Sequence, residues 1–196
     1  GCSYLEHCYP GLDQAFHQGH QTYAEIGRTF VAAPYRRSSP VLLMLLRAMV
    51  SIPLATGHSQ LLGMVSYNHF QHREVVQRRF LTALLQPPFA ADVGVPPPRY
   101  PLPFLLGGED RLPGELRSRT LRELEINLGR EENEKFRVPL LLKKYMSFGN
   151  ARVVGMSFAR DFNQICEILM HCDLTQLPPQ KRRILLLENL LPVWEI

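Results

Sequence analysis

The hydrophobic positions of this chain change period from block to block. Residues 22–32 are rich in β-branched and aromatic side chains, broken by charges at Glu25 and Arg28, and this pattern predicts a strand. Residues 41–55 are apolar almost all round, which suits a helix lying against a sheet better than one half in water. Ser39 is a good N-cap and Pro40 suits the first helical position, so the first-turn N–H groups of that helix point back toward the end of the preceding strand. Gly57 follows as a C-cap, and residues 61–66 read as a second short buried strand. Strand, helix and strand in this order predict a right-handed crossover between parallel neighbours that splay apart at their C-terminal ends.

Further along, the spacing of Phe70, Val75, Val76, Phe80, Leu81, Leu84 and Leu85 predicts a helix over residues 68–85. Residues 86–104 are proline-rich and lack periodicity, which predicts an extended or mobile connection. Helical spacing returns over residues 116–128, followed by a charged turn over 129–135 and a short helix over 139–148 closed by Gly149. Residues 151–157 and 165–172 read as two strands of an antiparallel hairpin turning at 161–163, and a last helix is expected over 179–191. The fold class expected is α/β, a mixed sheet with flanking helices.

Composition narrows the picture. With 196 residues and 45% apolar content the chain can bury one good core, so a single domain is expected. The net charge of +4 is mild and scattered, which favours an acidic partner or a membrane surface over a nucleic-acid stripe. Cys2, Cys8, Cys166 and Cys172 form no C-x-x-C pair, so reduced thiols in the cytoplasm are the simplest expectation. Val41 to Ala55 is too short for a bilayer span and is interrupted by Arg47, leaving a soluble or peripheral protein.

Two constellations could carry chemistry. A carboxylate at Glu25 beside a reacting centre could accept a proton from an amine, directly or through water, although Glu25 and Arg28 also serve as ordinary structural charges of a sheet. Arg36, Arg37, Ser38 and Ser39 bring two guanidinium groups to a capped helix start, a combination suited to a phosphate. An ordinary capped helix with two exposed arginines is the plainer reading. His69 and His72 lack a third ligand and no Ser/His/Asp arrangement is visible, so no metal or hydrolase site is assigned.

Two blocks carry a family likeness. Glu25-Ile26-Gly27-Arg28-Thr29-Phe30-Val31 with Pro34-Tyr35-Arg36 is similar to an E-x-G/S-R strand and its following P-x-Y-R. Val138-Pro139-Leu140-Leu141 through Tyr145, then Phe148 to Val153 and Asp161-Phe162-Asn163, are similar to a P-x-L-L-x-x-Y-L-x-x-G-A-x-V block and a D-F turn. In that order they resemble the hemolysin-like and ornithine-lipid-synthase group of acyltransferases. This is a branch of the GNAT superfamily, related in fold to acyl-homoserine-lactone synthases. Only about two dozen residues precede the first block, so an N-terminal part of that fold is expected to be missing.

The resemblance implies transfer of a fatty acyl group from acyl carrier protein, or coenzyme A, to the amine of a small amino acid or lipid precursor such as ornithine. Glu25 and Arg28 match the charged strand positions thought to order substrate and water. The backbone of Phe30, Val31 and Ala32 would hold the pantetheine arm as an added strand, and Arg36, Arg37, Ser38 and Ser39 would take its phosphate. The rival from another class is a non-catalytic domain of the same fold that binds an acyl carrier or a protein partner.

Overall fold

A parallel strand pair of unequal length organises the fold. The computed structural model describes residues 3–35, 39–103, 118–131 and 135–186. Strand β1 (Tyr23–Ile26) pairs in parallel with the first half of β2 (Gln60–Tyr67), from Tyr23 opposite Gln60 to Ile26 opposite Gly63. Helix α3 (Ser39–Ala55) connects them. On its other edge β2 pairs antiparallel over its whole length with β4 (Ile165–Asp173), which forms a hairpin with β3 (Arg152–Ala159). The result is a mixed sheet in the order β1-β2-β4-β3.

Alternation along the strands sends side chains to two different covers. Leu61, Val65 and Tyr67 of β2 and Cys166, Ile168, Met170 and Cys172 of β4 join the main core. With them pack residues of α3, of α4 (Glu74–Leu84), of α5 (Leu121–Glu131), of α6 (Leu140–Phe148) and of α7 (Pro179–Leu185). Leu62 and Leu169 point the other way, into a smaller cluster under α1 (Tyr4–Cys8) and α2 (Leu12–Gln18). The sheet is therefore covered on both faces. Glu25, Leu62, Ser66 and Glu167 share the face beneath α1 by register.

The sequence reading passed over α1 and α2, which are too short to show a period. They are held by local polar contacts and by one close approach to the sheet. Ser3 caps α1 by accepting from the Glu6 N–H at 3.0 Å, and the Glu6 carboxylate accepts from the N–H groups of Gly11 at 2.7 Å and Asp13 at 2.8 Å. Tyr9, at the end of α1, lies on β3 where a Cβ at Gly155 would come within 3.0 Å of the Tyr9 hydroxyl. A glycine there lets α1 sit close to the sheet.

Three expectations need correction. The strand expected over residues 22–32 stops at Ile26, because Arg28 takes a left-handed backbone (φ 51°) that an extended strand cannot pass through. Arg28 is consequently not on a strand face, and Phe30, Val31 and Ala32 belong to no strand. The helix expected over 68–85 is divided into a 3₁₀ turn at His69–Gln71 and α4, since the Asn68 side chain accepts from the Phe70 N–H at 3.1 Å and caps the turn instead. The helix expected over 116–128 runs instead from Leu121 to Glu131, so the expected turn over 129–135 begins as helix. The proline-rich connection is extended, as expected, and is pinned to the outer side of β3, through Val153 N–H to Phe89 O at 2.9 Å and Phe158 N–H to Tyr100 O at 2.8 Å. The last expected helix is described over Pro179–Leu185, and residues 187–191 of that expectation lie outside the described residues.

The junction of β1 and β2 depends on Gly63. A Cβ there would lie 2.8 Å from the Ile26 carbonyl oxygen and 3.3 Å from the Ile26 Cβ, a clash with backbone that no side-chain rotation relieves. Gly63→Ala is expected to force the end of β1 outward and to destabilise the protein by about 1–3 kcal/mol, the usual range for overpacking. Urea unfolding of the two proteins measures this, and an unchanged midpoint would show that β1 is not held there.

Candidate functional site

Where β1 ends, β2 continues for another half-strand, and among the described residues no strand pairs with that side of it beyond Gly63. Two cavities open along this stretch, one on each side, and they share a wall of Ile26, Gly27, Arg28, Met64, Ser66 and Phe162. Phe162 comes from the turn of the β3–β4 hairpin, where Asn163 and Gln164 adopt left-handed backbone that folds the loop back. The shared wall thus brings the end of β1, the middle of β2 and the hairpin tip together.

The cavity on the α3 side has a volume of about 370 Å³ and is walled by Leu46, Met49 and Val50 of α3 with Leu141 and Tyr145 of α6. Its apolar walls follow from the all-round hydrophobicity of α3. Arg47 donates to the Ile184 carbonyl at 2.7 Å and so ties α3 to α7, one of whose residues, Leu185, also lines the cavity. Volumes of this size suit a small apolar ligand or one limb of a larger one.

The cavity on the α1 side, about 640 Å³, carries two carboxylates in its lining. It is lined by Glu25 of β1, Glu167 of β4, and Ser3, Tyr4 and Leu5 at the start of α1. The Glu25 carboxylate lies 3.5 Å from the Leu5 N–H and is half-buried. Glu167 is only 5% exposed and accepts a 2.7 Å hydrogen bond from the Tyr4 hydroxyl. Burial pushes the Glu167 carboxyl above the ordinary glutamate range, while the Tyr4 hydrogen bond, which favours the ionised form, pulls against that shift. Burial and the neighbouring Glu167 both raise the Tyr4 phenol, so it keeps its proton and acts as the donor. A hydrogen bond to a charged group of this kind contributes about 1.5–3 kcal/mol.

The residues singled out in the sequence fall into three groups. Glu25 and Arg28 line the same cavity, and Arg28 lines both. Phe30, Val31 and Ala32 lie beyond the strand in irregular chain, with Phe30 82% exposed, and they line neither cavity. Ser39 opens α3 by its backbone, whereas its side chain and all of Arg36, Arg37 and Ser38 lie outside the described residues. Glu167 and Tyr4 were missed. The signal for Glu167 was present as one carboxylate inside the otherwise apolar run Ile165 to Met170. Nothing local marks Tyr4.

Among the described residues no three of His, Cys, Asp and Glu gather to hold a metal ion, and no helix is long and apolar enough to cross a membrane. Comparison with family models, curated proteins and solved structures finds no match to this chain.

The apolar cavity makes a direct prediction. Met49→Trp adds bulk at a half-buried wall position and should weaken binding of a fluorescent medium-chain fatty acid at least about tenfold, with the fold preserved. Fluorescence titration with a parallel circular-dichroism spectrum checks it. Undiminished binding would place the probe elsewhere.

Proposed function

We propose that this protein is an N-acyltransferase of GNAT type, moving a fatty acyl group from a thioester of acyl carrier protein or coenzyme A to a small amine. The observation that carries the reading is the parting of two parallel strands at Ile26 and Gly63, with an apolar cavity and a carboxylate-bearing cavity meeting on the same open stretch of β2. A thioester donor needs an apolar recess for its chain and an extended groove for its arm. An amine acceptor needs carboxylates to orient its ammonium and to accept a proton. The apolar recess and the carboxylates lie on the two sides of one wall, so that in this reading the acyl carbonyl and the amine meet at Met64 and Ser66.

The sequence resemblance and the geometry support each other at this point. The blocks containing Glu25 to Arg28, Leu141 to Tyr145 and Phe162 are distant in the chain, and each contributes a wall residue to the paired cavities. In this reading Glu25 and Arg28 order the acceptor and its water, Arg28 by offering a cation to an acidic group of the acceptor. The donor's phosphate goes to Arg36, Arg37 and the start of α3, an assignment that rests on the sequence pattern alone.

Amide formation from acyl carrier protein and coenzyme A thioesters of graded length, with a panel of amines including ornithine and glycine, is the decisive assay by mass spectrometry. Glu25→Gln should keep the fold and lower kcat/KM on the order of a hundredfold. A variant as active as wild type would remove Glu25 from the site, and donor binding without transfer by any pair would favour the non-catalytic alternative.

Donor recognition is tested separately. Arg36→Ala should weaken thioester donor binding by about 1–3 kcal/mol, as expected for loss of a charged hydrogen bond. Equal affinities by calorimetry at low and moderate salt would rule out a phosphate contact there.

A further inference from the structure

The cavity beneath α1 holds two carboxylates, and register separates their tasks. Glu25 stands beside Leu62, whereas Glu167 stands beside Ser66, four residues further along β2. At the usual rise of a strand this is roughly 13 Å of chain, too far for both carboxylates to contact one nitrogen. Glu25 lies in the paired part of β2, before β1 ends. Glu167 lies beside the stretch that β1 has left open, where the paired cavities meet along Met64 and Ser66. An acyl group laid along that stretch faces Glu167 rather than Glu25.

Building on the acyl-transfer reading, we propose that Glu167 is the proton acceptor for the attacking amine and that Tyr4 is its positioning residue. The ammonium of the acceptor gives one proton to the Glu167 carboxylate, directly or through one water, and becomes the free amine. The nitrogen then attacks the thioester carbonyl, forming the C–N bond. The tetrahedral intermediate collapses with cleavage of the C–S bond, and the second proton of the nitrogen passes to the departing thiolate. Glu167 finally returns its proton to water. Net, ammonium and thioester become amide, thiol and one proton.

Two features of the surroundings suit Glu167 to this task. Burial raises its basicity, and a general base works best with a pKa near the working pH. The Tyr4 hydroxyl, donated from an element 163 positions away, fixes the carboxylate's direction and favours its ionised form against the effect of burial. The groups facing it are Tyr4 and Cys8 on α1, Tyr9 at the end of α1, and Glu25 and Arg28 around the cavity, while Cys166, next to it on β4, turns to the main core. Of these, Tyr4 is the one that donates a hydrogen bond to the carboxylate.

The test combines a titration that needs no activity with a kinetic profile. In protein carrying ¹³C-labelled glutamate side chains, the resonance lost in Glu167→Gln should titrate above the ordinary glutamate range. Because the Tyr4 hydrogen bond favours the ionised form, Tyr4→Phe should raise that midpoint further, by about one pH unit. In acyl transfer, Glu167→Gln should lower kcat on the order of 10²–10⁴-fold, and Tyr4→Phe should move the acid limb of the rate profile upward while the high-pH plateau stays within a few-fold of wild type. An ordinary titration for Glu167, a midpoint unmoved by Tyr4→Phe, or full activity in Glu167→Gln overturns the assignment. Wild type without transfer on any thioester and amine pair overturns instead the acyl-transfer reading on which it stands. Should Glu167→Gln fail to fold, Tyr4→Phe, altered at an exposed residue, still decides through the acid limb.

Discussion

Strand β2 has partners of unequal length and opposite direction on its two edges, and the rest of the molecule follows from that inequality. Its antiparallel pairing with β4 is complete from Gln60 to Tyr67, which fixes its position in the sheet. Its parallel pairing with β1 lasts only to Gly63. A full β1 would fill the edge and leave no room for a ligand, whereas none at all would leave Glu25 unplaced. Stopping at Ile26 keeps one face of the pairing and opens the rest.

The stop has two physical causes that act together. Gly63 lets the two backbones approach more closely than any side chain would allow, so β1 is anchored at its last rung. Two residues later Arg28 enters a left-handed conformation, and the chain leaves the sheet plane. The departing segment becomes the shared wall of both cavities. Apolar residues of α3 then line one side, because that helix is hydrophobic all round, and the carboxylates of β1 and β4 line the other because alternation turns them away from the main core.

The cover on the carboxylate side is slight. Helices α1 and α2 span five and seven residues, too few to be stable alone, and they persist through Ser3 and Glu6 capping and through Tyr9 packed on Gly155. That packing also sets the height of Tyr4 above the sheet. The hydrogen bond to Glu167 is therefore a consequence of how closely a glycine in β3 lets the helix approach, so the polarity of the site is coupled to the packing of a hairpin strand.

What the sequence determined by itself was the run of elements whose signals are local. The nearly all-apolar stretch of α3, the apolar runs of β3 and β4 around a polar turn, and the strand, helix, strand order behind the parallel pair all come from local composition and from residues that cap or turn the chain, which need no distant partner. Glu25 was legible for the same reason, as a charge interrupting an apolar strand. What only the tertiary structure decided was where β1 ends, which face each carboxylate occupies and what lies above it. Arg28 carries no local mark of a left-handed backbone, Gly63 matters only once Ile26 is against it, and Tyr4 meets Glu167 across 163 positions of chain. Register between strands is set by the packing of whole faces, and that information is held in no single stretch of sequence.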